Sequence, residues 1–410
     1  MQIFSLCLLL FINAMSIGLV FPLFAPMFTQ SAGSLFQVGV DLGTRSLFYT
    51  MILAVPTVFV MIGAPFWGRI SDQIGRRKVL LIGLTGVGFS FLLSALGIFW
   101  GSLFVLFFSR AVAGFMDGSE AVAQAAIADL SEPHEKARNL GFATFAGTIG
   151  FIIGPIVGGF LGEKSITGEF HYEIPFLLSC TLALLNGLLI FWFFPMPNFW
   201  SEKHPESNHS SYFSSMMQGC VICLDQRIRR FSFLLFVLQF ILAAFFQLSS
   251  LSLVERFHYS SSQVGLFTTF LGGCFSGGIF VVIHVLLNRV VHVTLLRSGI
   301  VLMLIAMACA WYWQDSDLSA WISVVPLMVG IAMMFNVLLS FVSNAVNADE
   351  QGDAMGSGTA LKAVGWLMSS ALVGMCYPNI KAILIVLLLM LSVALLCSIG
   401  VRQPEWDRNT

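Results

Sequence analysis

The sequence predicts an all-α polytopic membrane protein, with twelve transmembrane helices in two pseudo-symmetric six-helix bundles. Composition is the first observation behind this. The 410 residues are 57% hydrophobic and 10% charged, where soluble chains carry roughly 25% charge. Lipid is the only solvent that accommodates so much apolar surface. Length is the second: at about 20 apolar residues per crossing, the chain holds about twelve crossings with short loops. Punctuation is the third, because the apolar runs fall as six, a polar stretch and six more.

The elements follow in order. The first run, 3–27, opens at Met1-Gln2-Ile3-Phe4 with no basic segment ahead of it, so it reads as a retained helix and not a cleaved signal. Runs at 46–67 and 79–98 flank the charged, glycine-punctuated stretch Gly68-Arg69-Ile70-Ser71-Asp72-Gln73-Ile74-Gly75-Arg76-Arg77-Lys78. Spans at 102–129, 139–162 and 174–196 complete an N-terminal bundle, 1–196. The polar stretch 197–230 contains Glu202-Lys203-His204-Pro205-Glu206-Ser207-Asn208-His209-Ser210-Ser211 and reads as a cytoplasmic linker. A second bundle, 231–410 with a short tail, holds spans at 231–254, 262–284, 298–313, 321–343, 355–376 and 380–400.

Charge sets the orientation. Fourteen of the twenty Lys and Arg residues fall on the side of the Gly68–Lys78 loop, four on the other side (Arg45, Lys164, Arg256, Lys381), and Arg110 and Lys362 lie inside spans. Basic loops stay on the cytoplasmic side, so both termini and the linker are expected there, in a bacterial inner membrane. The net charge of −1 argues against a nucleic-acid partner. The expected partners are the bilayer and a small-molecule substrate, with the protein acting as a monomer. Eight cysteines are scattered; the one tight pair, Cys220 and Cys223, lacks a second pair or a histidine cluster, so packing is the reading and no metal is expected. His258, His284 and His292 lack ligand spacing. No phosphate-binding loop or catalytic triad is present, and the chain is not read as an enzyme. A shift of 216 residues lays Asn288 on Asp72 and Gly299 on Gly83 with similar apolar flanks, a faint internal repeat of the kind that builds two bundles around a midplane cavity.

Five stretches carry a family resemblance. The loop has the spacing G-x-x-x-D-x-x-G-R-R-K. The fourth span has Arg110-x-x-x-Gly114. The fifth has Gly141, then Gly150-x-x-x-Gly154-Pro155-x-x-Gly158-Gly159. The first, through Asn13-Ala14-Met15-Ser16-Ile17-Gly18, and Asp349-Glu350-Gln351-Gly352 ahead of the eleventh complete the set. Together they resemble the major facilitator superfamily, and within it the twelve-helix, tetracycline-resistance-like drug–proton antiporters. The resemblance implies that Gly68, Asp72, Gly75, Arg76 and Arg77 form a conformational switch, with Asp72 facing the positive end of the eleventh helix. It implies that Gly150, Gly154, Pro155, Gly158 and Gly159 form a packing and sliding surface against the eighth. A solvated turn and ordinary small-residue packing are the plain alternatives. Three departures mark individuality: Asn13 stands where many such antiporters carry an acid, Asp117 and Glu120 are acids in the fourth span, and Lys362 is a base in the eleventh.

The fourth span holds the candidate proton-coupling residues. At 100° per residue, Arg110, Gly114, Asp117, Glu120 and Gln124 fall within roughly 120° of one face, with Arg110 and Asp117 about 10 Å apart along the axis. A charge near mid-bilayer costs at least ~2.5–3.5 kcal/mol, so these groups should face a wet cavity or one another. Asp117 and Glu120 are read as proton carriers and Arg110 as their modulating partner; a static ion pair is the alternative. The cavity is expected to draw on Asn13, Gln124, Gln239, Gln247, Asn336, Ser340, Lys362 and Trp366. Lys362 has snorkelling as its alternative, and each neutral residue can instead bond a neighbouring helix. No cofactor is expected; protons are the coupling ion. The reading is a proton-coupled exporter of a small amphiphilic compound, with a proton-coupled importer of an anionic nutrient or carboxylate-type siderophore as the alternative.

Overall fold

The computed structural model describes residues 2–29, 36, 39–132, 135–163, 171–194, 228–286, 289–312, 315–345 and 351–401. Among them the secondary structure is helical throughout. We number the helices α1 (Gln2–Thr29), α2 (Leu42–Ile74), α3 (Arg76–Phe99), α4 (Leu103–Asp117), α5 (Glu120–Leu130), α6 (Lys136–Leu161) and α7 (Glu173–Phe193). After the linker come α8 (Arg229–Phe257), α9 (Ser261–Val281, continued by a π-helical turn), α10 (His292–Tyr312), α11 (Asp317–Ala345), α12 (Gln351–Cys376) and α13 (Ile380–Ile399). Ten are long and apolar enough to cross a membrane by themselves. The apolar part of α12, Ala360–Cys376, is shorter. The fourth predicted span is divided into α4 and α5. Cys220, Cys223, Asn288, the pair Asp349 and Glu350, and most of the linker lie outside the described residues.

Cα packing divides the chain into two units: Met1–Val40 with Ile52–Tyr212 and His258–Thr269, and Asp41–Met51 with Phe213–Phe257 and Phe270–Thr410. The predicted boundaries differ by an exchange. The first turns of α2 cluster with the second unit, and the start of α9 with the first.

In the first unit, α1 packs on α6 and α7, and α3 on α4 and α7. Leu6, Trp67, Leu80, Val122 and Ile190 belong to one buried core. Glycines set the closest contacts. A Cβ at Gly150, Gly154 or Gly158 of α6 would lie 2.2, 2.5 and 1.8 Å from the carbonyl oxygens of Phe11, Met15 and Leu19 on α1. The other side of α6 meets α9: a Cβ at Gly159 would lie 2.5 Å from the Ser261 oxygen, and one at Gly265 would lie 2.3 Å from the Pro155 oxygen. The glycine-proline pattern thus makes two seams, and the one on α1 is the longer.

In the second unit, α8 packs on α11 and α12, and α10 on α11 and α13. Two devices recur in both units. Gly83 of α3 and Gly299 of α10, matched by the 216-residue shift, both open a close approach between the third and fourth spans of their unit. A Cβ on them would lie 2.1 Å from Ser119 Oγ and 2.8 Å from the Gly330 oxygen. An arginine near the start of the third span also caps the end of the sixth. Arg77 donates to the Phe191 carbonyl at the end of α7, and Arg297 donates to the Ser398 and Ile399 carbonyls of α13 at 3.2 and 3.3 Å. Cations there satisfy orphan carbonyls and oppose the helix dipole.

The predicted loop at 68–78 is shorter than its spacing suggested. Helix α2 continues through Gly68 to Ile74, so Gly68 makes no turn. Gly75 alone makes it, at φ +92, where a side chain would be strained. Arg76 anchors the turn by a 2.8 Å ion pair to Asp72 one turn back, a 3.4 Å contact to Asp129 of α5, and a hydrogen bond to Ser71. Asp41 caps the other end of α2: its carboxylate accepts the Thr44 N–H at 2.8 Å and the Thr44 hydroxyl at 2.7 Å.

Candidate functional site

The break in the fourth span places the two acids. Asp117 is the last residue of α4 and Glu120 the first of α5. Between them Gly118 and Ser119 keep right-handed dihedrals, but the hydrogen bonds tighten. The Ser119 N–H reaches Met116 three residues back, and the Val122 N–H reaches Ser119. Glu120 therefore sits in the first turn of a new helix, where a carboxylate is favoured by the dipole. A Cβ at Gly118 would meet the Ala64 nitrogen at 2.4 Å, so the break is pressed directly on α2.

Asn13 of α1 faces this break. Its amide donates to Glu120 Oε2 at 3.3 Å and also reaches Asp117. Asn13 is buried, at 7% exposure. Asp117 Oδ1 is buried with no hydrogen-bond donor among the described residues. The charged groups acting on Asp117 are Glu120 and Arg110.

Arg110 takes a different position from the one a shared helix face suggested. It makes no ion pair with Asp117 or Glu120 within 4 Å among the described residues. Its Nη2 donates to Ser94 Oγ of α3 at 3.0 Å, and Ser94 in turn shares a 2.7 Å bond with Ser109. The guanidinium lies 5.3 Å from the Phe91 ring centroid and 5.6 Å from that of Phe176. Two aromatic faces and a hydroxyl pair thus do much of what a carboxylate would do for a desolvated cation. Two turns of helix hold Arg110 and Asp117 too far apart for contact, so the interaction is at a distance.

The other sequence candidates separate. In the second unit, Gln247 is fully buried on α8 and donates to Ser370 Oγ of α12 at 3.0 Å. Trp366 lies against Phe246, with ring centroids 6.2 Å apart and the rings tilted. Gln239 packs beside Gly365, whose Cβ would lie 3.1 Å away. The Asn336 amide turns back to the Ala332 carbonyl of its own helix at 2.8 Å, and Ser340 is half-buried on the same helix α11. Lys362 is exposed on α12 and Gln124 is exposed on α5. Among the candidates of the first unit, Asn13, Asp117 and Glu120 converge directly. Sequence reasoning missed Phe91, Ser94 and Phe176 around Arg110, since they come from α3 and α7, far from Arg110 in sequence, and none forms a motif with it. It also missed Trp67, whose indole N–H donates to the Phe115 carbonyl at 2.9 Å; its spacing of four from Gly63 was the available signal.

Comparison with known proteins places this geometry in context. The class D tetracycline resistance protein of Salmonella ordonez is 27% identical over 347 residues, covering 84% of this chain and 82% of the relative. The quinolone resistance protein NorA of Staphylococcus aureus is 26% identical over 382 residues, covering 91% and 89%. Among solved structures, the human organic anion transporter MFSD10 (TETRAN) superposes with a TM-score of 0.71 at 19% identity over 97% of this chain and 98% of that one. A D-xylose-proton symporter gives 0.74 at 18% identity over 98% and 99%. These last two establish the fold. The profile of the Major Facilitator Superfamily matches residues 6–370, and this multi-pass membrane protein belongs to that superfamily of transporters.

Proposed function

We propose that the protein is a proton-coupled exporter of a small amphiphilic compound, working by alternating access with protons moving inward. The observation that carries this is the meeting of Asn13, Asp117 and Glu120 at the α4–α5 break, with a buried Asp117 oxygen that has no donor among the described residues. A proton on that carboxyl removes its charge, whereas a bare carboxylate there leaves a charged oxygen unsatisfied. Gaining or losing a proton thus changes the energy of this arrangement, and any ligand that binds one protonation state better shifts the other. Arg110, fixed by Ser94 and two rings, provides a constant positive field. The resistance proteins matched over most of their length support efflux as the direction. The fourteen basic residues on the side of the Gly68–Lys78 loop support cytoplasmic termini.

Proteoliposomes with a pH gradient test this. Proton flux is followed on adding tetracycline, norfloxacin, tetraphenylphosphonium or citrate, with native protein, Asp117→Asn and Glu120→Gln. Export reads as proton movement opposite to a lipophilic substrate, abolished in at least one variant. Movement in the same direction as citrate establishes the importer instead. Full coupling in both variants removes the acids from the mechanism.

A further inference from the structure

The break in the fourth span creates a structural demand that the proposed proton step does not itself explain. Because the Ser119 N–H turns to Met116, the Phe115 carbonyl four residues back loses the backbone donor that a continuous helix would give it. An unsatisfied carbonyl at that depth is costly, since lipid offers no replacement. Helix α2 meets the demand with two residues one turn apart. A Cβ on Gly63 would lie 2.2 Å from the Phe115 oxygen, so only glycine leaves room for it. Trp67, 6% exposed in the core of the first unit, supplies the indole N–H at 2.9 Å. Its ring also packs on that of Phe115, with centroids 5.8 Å apart. Gly63 and Trp67 form a socket for the Phe115 carbonyl, which the break releases.

We infer that Trp67 is a positioning residue for the acid pair. By holding the Phe115 carbonyl, it keeps α4 ended at Asp117 and lets Glu120 open α5 opposite Asn13. The inference rests on the reading of Asp117 and Glu120 as proton carriers. Trp67 directly precedes Gly68 on the same helix that carries Asp72, so tilting of α2 at the turn after Asp72 acts on the acids through this bond.

The test uses Trp67→Phe, which keeps an aromatic ring and removes the donor. One readout is alkylation of Ser119→Cys by a water-soluble maleimide in the full-length protein. The other is turnover and KM for the transported member of the tetracycline, norfloxacin and tetraphenylphosphonium set. Loss of one net hydrogen bond predicts alkylation about three- to tenfold faster. Turnover should fall by a similar factor, with KM within about twofold, because the bond orients the proton site and not the substrate. If Trp67→Phe does not fold, Gly63→Ala keeps the donor and closes the gap, and the same split is expected. Unchanged alkylation sinks the inference whatever the acids do. Equal damage to KM and turnover together with a lowered unfolding temperature also sinks it, leaving plain fold support. Faster alkylation alongside intact coupling in Asp117→Asn and Glu120→Gln overturns the proton-carrier reading instead, since alkylation reports on the break alone.

Discussion

At the scale of residues, the same kind of group is used in opposite ways at two depths. Asp41 lies at the start of α2, outside the apolar stretch, and its carboxyl is held below the usual carboxylate range by the Thr44 hydroxyl and N–H. A depressed folded value means that its contribution to stability is present above the unfolded value, about 3.9, and is lost as pH falls through the folded one. Thr44→Val should therefore lower the unfolding temperature at pH 7, with the difference from native protein vanishing toward pH 2. Equal differences at both pH values would assign the effect to packing. Asp117 is the converse case, a carboxyl with an oxygen to spare in a place where water is scarce. The sequence announced the acids of the fourth span through their rarity in a membrane, and Asn13 through its position. It concealed the surroundings of Arg110, because a helix face computed from 100° per residue says which residues look the same way and nothing of what approaches from α3 and α7.

At the scale of elements, glycine decides which helices touch. The pattern from Gly150 to Gly159 announced a close-packing helix, but periodicity alone does not name the partner. Gly150, Gly154 and Gly158, at intervals of four, draw a stripe that α1 fills, while Gly159 is turned 100° away toward Ser261. Gly158→Val is expected to destabilise the protein by about 1–3 kcal/mol, the usual cost of overpacking. Gly141→Val, on the same helix with nothing within 4 Å of its Cβ position, should be nearly neutral. Thermal unfolding in detergent compares them, and equal effects would mean that the α1–α6 contact is looser than drawn. The break between α4 and α5 was invisible for a related reason: Gly118-Ser119 reads as ordinary small-residue packing until the hydrogen bonds are counted. Likewise Gly68 looks like half of a turn in sequence, yet α2 runs on through it because its flanking residues all accept helical dihedrals.

At the scale of the whole molecule, the helical, multi-pass membrane fold was legible from hydropathy, because lipid enforces span length more strictly than water enforces any soluble element. Duplication was barely legible. The 216-residue shift preserved Gly83 and Gly299 but not the residues around Asp72, and the shared arginine caps are displaced by a few positions between the halves, from Arg77 to Arg297. Geometry is retained where sequence register is not. Orientation is checked by single cysteines in intact cells. Cysteines replacing Arg138 and Arg289 should be shielded from a membrane-impermeant thiol reagent, and one replacing Lys381 should react. The reverse pattern would invert the proposed topology.

The two arginine caps also have a consequence for synthesis. Arg77 waits for a carbonyl 114 residues further along the chain, and Arg297 for one 101 residues further. Each half therefore leaves the ribosome with its third crossing made and its basic end uncapped. The contact that ties that end down arrives only with the last crossing of the same half. A nascent chain halted before Phe191 lacks the carbonyl that Arg77 clasps; one halted in the linker already holds both ends of that contact, before any of the second half exists.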